Sequence, residues 1–294
     1  MGEEETEMVW VTIPCKKLLR VIALVIALCL SALCAAFCFL TPAAEEGVFL
    51  PILMYHSVLK DPYKTGKYVI TPESLEEDLQ YLQQHGYQTV VMQDVIDFVY
   101  NGVPLPEKPV VLTFDDGFYN NLTYLLPLLI EYDMKAIVAP VGEYTEQFSE
   151  NPDPNPAYAY LSWDDISTLE ESGHVEIQNH SYSMHAQTGR HGTLRKSNES
   201  MDEYQITLQK DLQKMQDLLT EHCEITPTTF VYPFGQICEG SLPVVKEMGF
   251  LASFSCYERA NYLTNDPDCL YELGRYNRSG LETTEKIMKK AGII

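Results

Sequence analysis

From residue 51 to residue 294 short apolar runs alternate with stretches of helical periodicity, and this alternation limits the fold more than any other feature. Pro51–Tyr55, Val110–Phe114, Ala136–Ala139, Val175–Ile177, Phe230–Tyr232 and Leu251–Phe254 read as buried strands. Between them, Thr71-Pro72 opens a helix as N-cap and first helical residue, and Gly86 closes it. Leu75, Leu79 and Leu82 give that helix its apolar stripe. Leu122–Ile130 reads as helical despite Pro127. Ser162 to Asp165 forms a capping box, with Gly173 closing the helix. Leu208, Leu212, Met215 and Leu219 mark one face of a long amphipathic helix. Leu242–Met248 reads as a further helix. Repeated βα units predict a parallel sheet with helices outside, and this length suits one closed or nearly closed barrel.

The first fifty residues are different. Val21 to Leu40 is an apolar run broken only by Ser31. A helix of that length spans about 30 Å, the thickness of a hydrocarbon core. Lys16, Lys17 and Arg20 precede it, and Glu45 and Glu46 follow. The positive flank predicts a cytoplasmic tail over 1–20, a single membrane anchor over 21–40, a linker over 41–50 and an extracytoplasmic domain over 51–294. A signal peptide cleaved near Ala43-Ala44 is the competing reading, but the run is long for one. Met1-Gly2 with Thr6 matches a myristoylation pattern, which a spanning helix makes superfluous.

Charge excludes one broad class. The chain carries 42 Asp+Glu against 20 Lys+Arg, a formal charge of −22. A nucleic-acid partner is not expected, because binding phosphates takes a basic face. Cys15, Cys29, Cys34 and Cys38 lie in or beside the apolar run. Cys223, Cys238, Cys256 and Cys269 allow three disulfide pairings, among which the sequence does not choose. With no CxxC pair, a cysteine zinc site is not expected.

Three strand ends carry unusual residues. The first is Thr113-Phe114-Asp115-Asp116-Gly117. Adjacent carboxylates repel unless a cation or a proton is shared, and in an extended segment they point opposite ways. Alone, the pair also reads as an Asp-Gly turn. The second is Asn179-His180-Ser181-Tyr182-Ser183-Met184-His185. Imidazoles five residues apart reach one ion only if the chain turns between them, and two unrelated surface histidines would leave the same pattern. Asn179 matches a glycosylation sequon but sits inside this motif. The third is Tyr232-Pro233-Phe234-Gly235, a corner able to present a backbone N–H to a cleft, or a plain strand-ending turn.

Taken together, TFDDG, the His pair and YPFG resemble the polysaccharide deacetylases of the NodB-homology type, carbohydrate esterase family four, over about residues 51–294. The resemblance implies an α/β fold, a distorted (β/α) barrel, here preceded by one N-terminal transmembrane helix. It implies that Asp116, His180 and His185 hold a divalent metal ion, zinc by preference, with cobalt, nickel or manganese also fitting. Asp115 would be the general base, and the Phe234 N–H would face the oxyanion. The chain departs from the common pattern in having no histidine after His222 and Val231 where many members place an arginine. The longer His spacing and the Leu53-Met54-Tyr55-His56-Ser57 strand end resemble the circularly permuted branch of poly-N-acetylglucosamine deacetylases. By that likeness His56 is the general acid, and Arg275 replaces the missing arginine in holding Asp115. Tyr232 and Trp163 are expected to line a sugar cleft, although Trp163 would equally suit core packing.

The expected activity is metal-dependent removal of N-acetyl groups from an N-acetylglucosamine polysaccharide, exopolysaccharide or peptidoglycan, at the cell surface. The alternatives are an esterase or amidase acting on a small acetylated molecule, and a catalytically silent glycan-binding module. The polar stretch Glu146–Pro156 reads as the loop that would keep a groove open.

Overall fold

A computed structural model describes residue 26 and residues 47–294, residue 187 excepted. Met1–Glu46 and Gly47–Ile294 separate as two units. Apart from Ile26, which is helical, the expected tail, anchor and linker up to residue 46 lie outside the described residues, as do Cys15, Cys29, Cys34 and Cys38. Among the described residues no helix is long and apolar enough to cross a membrane.

Seven parallel strands form the centre of the Gly47–Ile294 unit. They are β1 (Ile52–Tyr55), β2 (Pro109–Asp116), β3 (Ala136–Pro140), β4 (Val175–Ile177), β5 (Thr229–Val231), β6 (Ala252–Phe254) and β7 (Tyr276–Asn277). Hydrogen-bonded pairing runs β7-β1-β2-β3-β4, and β5 pairs with β6. Two isolated parallel bridges join the pieces into a ring. Asn179, just past β4, pairs with Phe230 of β5, and Phe254 of β6 pairs with Leu273, just before β7. The ring is therefore a distorted barrel, continuous in two places by one bridge only. That irregularity comes from strands of two or three residues, too short for a full ladder.

β1, β2 and β3 are buried along their whole length, as expected of parallel strands covered on both faces. Alternation sorts their side chains. Leu53, Tyr55, Leu112, Phe114 and Val138 point outward and pack in one apolar cluster with the surrounding helices. Ile52, Val111, Ile137, Val231, Ala252 and Phe254 share a second cluster in the lumen. Val95, Ile96 and Val99 belong to the same cluster, so the helix that carries them closes the end where the strands begin.

The helices are α1 (Pro72–Gln84), α2 (Met92–Asn101), α3 (Leu126–Tyr132), α4 (Gly142–Glu150), α5 (Trp163–Glu171), α6 (Met201–Cys223), α7 (Ser241–Glu247) and α8 (Thr284–Lys290). Thr71 caps α1 through Ser74 N, and Ser162 caps α5 through Asp165 N, as their sequences predict. The helix expected over Leu122–Ile130 is present as a π turn at Asn121–Leu125 running directly into α3, with Pro127 just past the junction of the two. The polar stretch Glu146–Pro156 is not all loop, since its first part completes α4. Cys223, Cys238, Cys256 and Cys269 are all free thiols.

Candidate active site

Strand direction places all three motifs at one end of the barrel. Asp115 and Asp116 end β2, His180 follows β4, Phe234 follows β5 and His56 follows β1. These residues line one cleft of about 880 Å3, with Tyr68 and Phe118 at its sides. Each motif also holds one non-glycine residue in the left-handed region: Asp116 at φ 73°, Ser181 at 70° and Phe234 at 56°. Such residues cost about 1–3 kcal/mol each and persist where the surroundings over-determine them. Gly117, at φ 72°, has a further reason to be glycine. A Cβ there would stand 2.7 Å from Pro140 Cα.

Alternation along β2 separates the two aspartates. Asp115 follows Thr113 into the lumen, and the left-handed turn at Asp116 aims the second carboxylate elsewhere. Arg275, fully buried, grips Asp115 through Nη1–Oδ1 at 2.7 Å and Nη2–Oδ2 at 2.8 Å. Its Nη1 also donates to Thr113 Oγ1 at 3.0 Å, and its Nε to the Ser255 carbonyl at 2.9 Å. Burial pushes the Asp115 carboxyl up, but the Arg275 guanidinium together with His180 and His56 outweighs it and holds the group below its ordinary value.

Asp116 faces the two imidazoles. Its Oδ1 lies 3.0 Å from His185 Nε2 and 3.6 Å from His180 Nε2, close without a formed hydrogen bond. His180 Nδ1 donates to the Val231 carbonyl at 2.8 Å. A carbonyl only accepts, so the proton sits on Nδ1 and the Nε2 lone pair points at the carboxylate. Ligand atoms of Asp116, His180 and His185 all fall within 4.8 Å of one another. With His180 neutral, its lone pair facing a buried, partnerless carboxylate oxygen is repulsive unless a cation lies between them. The donor set therefore fits a divalent metal ion of the nitrogen- and oxygen-binding kind. Burial raises the Asp116 carboxyl, yet in the metal-free site N–H donation from His180 and His185 in their protonated forms, with the positive charge of His56, holds it far below the carboxylate range. His185 moves the other way. Burial lowers it, Asp116 more than compensates, and the net shift is upward.

His56 opens onto the same cleft. Its Nδ1 is buried without a partner, and its ring leans on Tyr68 with centroids 4.7 Å apart. Burial lowers its pKa. Two adjacent asparagines at the start of the π turn brace the loop that carries it. Asn121 Nδ2 donates to the His56 carbonyl at 3.1 Å, and Asn120 Oδ1 accepts from Val58 N at 3.0 Å. The Phe234 ring lies between two histidines, 4.2 Å from His185 and 4.5 Å from His191.

Two expected cleft residues lie elsewhere. Tyr232 precedes the Pro233 turn on the outward side of its strand, fully buried among α6 and α7, with its hydroxyl 3.2 Å from Ser241 Oγ. Trp163 opens α5, packs in the outer core and stacks on His222 at 5.1 Å. Aromatic residues that do approach the site escaped the sequence reading. Phe118 stacks on Tyr160 at 4.9 Å, and Tyr144 bridges Tyr160 and His185. Phe118 was the legible one, lying one residue past TFDDG. Asn179 is buried, donating to the Leu212 carbonyl and Gln216 Oε1, and so is closed to glycosylation.

A sequence profile of the polysaccharide deacetylase family matches residues 102–253, just over half of the chain. The chain belongs to the polysaccharide deacetylase family. Among family proteins, it is 26% identical over 217 residues to the poly-beta-1,6-N-acetyl-D-glucosamine N-deacetylase of Escherichia coli (strain K12), covering 67% of this chain and 32% of that one. It is 27% identical over 199 residues to the Staphylococcus aureus (strain MRSA252) protein of the same name, covering 66% and 63%. The chain thus spans about a third of the first relative's length and under two thirds of the second's. Among solved structures, the de-N-acetylase from Aggregatibacter actinomycetemcomitans superposes with a TM-score of 0.68 at 26% identity, covering 83% of this chain and 100% of that one. IcaB from Ammonifex degensii shares the fold, with a TM-score of 0.67 at 21% identity over 85% and 97%. The polysaccharide deacetylase match excludes both His56 and Arg275, yet the barrel sets His56 in the cleft and Arg275 buried behind Asp115, which lines it.

Proposed function

We propose that the chain is a metal-dependent deacetylase that removes N-acetyl groups from a poly-β-1,6-linked N-acetylglucosamine chain. The observation that carries this reading is the cluster of Asp116, His180 and His185 beside the Arg275-held Asp115 in one cleft. Two curated relatives named for that reaction support the substrate.

Asp116, His180 and His185 would hold the ion, zinc by preference. Bound there, a divalent ion supplies Lewis acidity for the acetyl carbonyl and lowers the pKa of water. Asp115 accepts the proton of the attacking water as general base. Its two contacts to Arg275 fix the carboxylate in place and leave each oxygen a further lone pair. The Phe234 N–H, on the left-handed corner, is the proposed donor to the developing oxyanion. His56 donates a proton to the leaving amine, its loop braced by Asn120 and Asn121.

Residues 21–40 are proposed as a single membrane anchor, which would set domain 51–294 outside the cytoplasm against surface polysaccharide. The apolar run and its charged flanks support this part of the reading.

The test is acetate release from a β-1,6-linked N-acetylglucosamine oligomer by the full chain, with zinc, then cobalt, and with chelator as control. Metal-dependent release is expected. Chelator-insensitive release would refute the metal chemistry. No release from protein holding one ion per chain would refute the substrate.

A further inference from the structure

His180 and His185 are five residues apart. On a helix they would lie about 140° apart and on a strand they would face opposite sides. Their imidazoles meet because Ser181–Met184 is a tight turn, entered through the left-handed Ser181. The peptide groups of that turn are bound one by one. Ser181 N donates to Asn179 Oδ1 at 2.8 Å, and Met184 N to Ser181 Oγ at 3.2 Å. The carbonyls of Ser181 and Tyr182 accept from Gly142 N and Glu143 N at the start of α4. The remaining donors converge on one side chain. Asp211, on α6, accepts from Tyr182 N at 2.8 Å through Oδ1, and from Ser183 N at 3.0 Å and Ser183 Oγ at 2.9 Å through Oδ2.

We propose that Asp211 is a positioning residue for the metal site, its carboxylate clamping the turn that brings His180 and His185 to one ion. The inference rests on the metal reading of Asp116, His180 and His185. A carboxylate suits the task because two consecutive N–H groups and a hydroxyl need two acceptor oxygens. Asparagine offers one, and its amide would turn an N–H against the Ser183 N–H. Asp211 flanks the buried stripe of Leu208, Leu212, Met215 and Leu219 without being part of it, so helix packing does not demand a carboxylate there.

Zinc affinity of the full chain, measured by competition with a chromophoric chelator, separates positioning from general stability. Partners that orient metal ligands typically contribute about 10–100-fold to affinity. Asp211→Asn is expected to weaken zinc by at least about 10-fold. Ser183→Ala, which removes one bond of the three, is expected to weaken it less. Leu219→Ala, about 12 Å further along α6, is expected to lower the apo melting temperature while leaving zinc affinity unchanged. In cobalt-loaded protein, Asp211→Asn should also shift the visible d–d bands. Zinc binding equal in Asp211→Asn and the parent would overturn the proposal and leave the metal reading standing. Equal weakening in Leu219→Ala at matched loss of apo stability would reduce Asp211 to a structural residue. A parent chain that takes up no metal would remove the metal reading and this inference with it.

Discussion

Arg275 and Asp115 meet fork to fork, with both carboxylate oxygens bonded at 2.7 and 2.8 Å although the residues are 160 positions apart. Removing one partner of a buried pair leaves an uncompensated charge. Arg275→Ala is expected to cost about 3–5 kcal/mol in chemical denaturation and to abolish acetate release. Arg275→Lys keeps the charge without the fork, so it should recover part of the stability and little of the turnover.

The same pair sets an acid sensitivity. Asp115 is held below its ordinary value, about 3.9 in an unfolded chain. A carboxyl with a depressed folded pKa contributes stability that is fully present above the unfolded value. That stability is lost as pH falls through the folded one. Denaturant titrations between pH 7 and pH 3 should therefore show the stability difference between the parent and Asp115→Asn shrinking at the acid end. A difference that stays constant with pH would contradict the pairing.

Metal uptake should weaken in acid, because imidazole binds an ion only when neutral. Asp116 raises the pKa of His185, so in the metal-free form the proton competes from above the ordinary histidine value. Zinc affinity is expected to fall steadily below about pH 7. Asp116→Ala, His180→Ala and His185→Ala should each lose the stoichiometric ion and the activity together, as elemental analysis and acetate release would show.

His56→Gln and Asp115→Asn separate chemistry from metal binding. Both should retain one ion per chain. Turnover should drop by about 10²–10⁴-fold, the usual worth of a positioned acid or base. Full turnover in His56→Gln would show that another group protonates the amine.

Asp78 and Arg278 form a second buried pair at 2.6 Å, outside the cleft lining and joined by Tyr55 and Thr284. Asp78→Ala is expected to cost about 3–5 kcal/mol with metal affinity unchanged. That combination makes it a control for variants that act through the fold alone.

Much of the architecture was legible in one dimension. The strands of the barrel are apolar runs, the caps at Thr71 and Ser162 are local, and the three motifs are contiguous, so pattern alone locates them. β7 was not legible. Two residues carry no periodicity, and the strand exists only because β1 offers it an edge. The side-chain direction of Tyr232 was also hidden, because it depends on which face of β5 meets α6 and α7. The sequence by itself determined the alternation of strand and helix, the residue types at the strand ends and hence the chemistry available there. Tertiary structure alone decided which of those residues meet. Closure of the barrel sets His56, Asp115 and Arg275 together across most of the domain. Left-handed turns at Asp116, Ser181 and Phe234 aim the rest. Contacts between distant segments, not local preference, hold those strained turns in place.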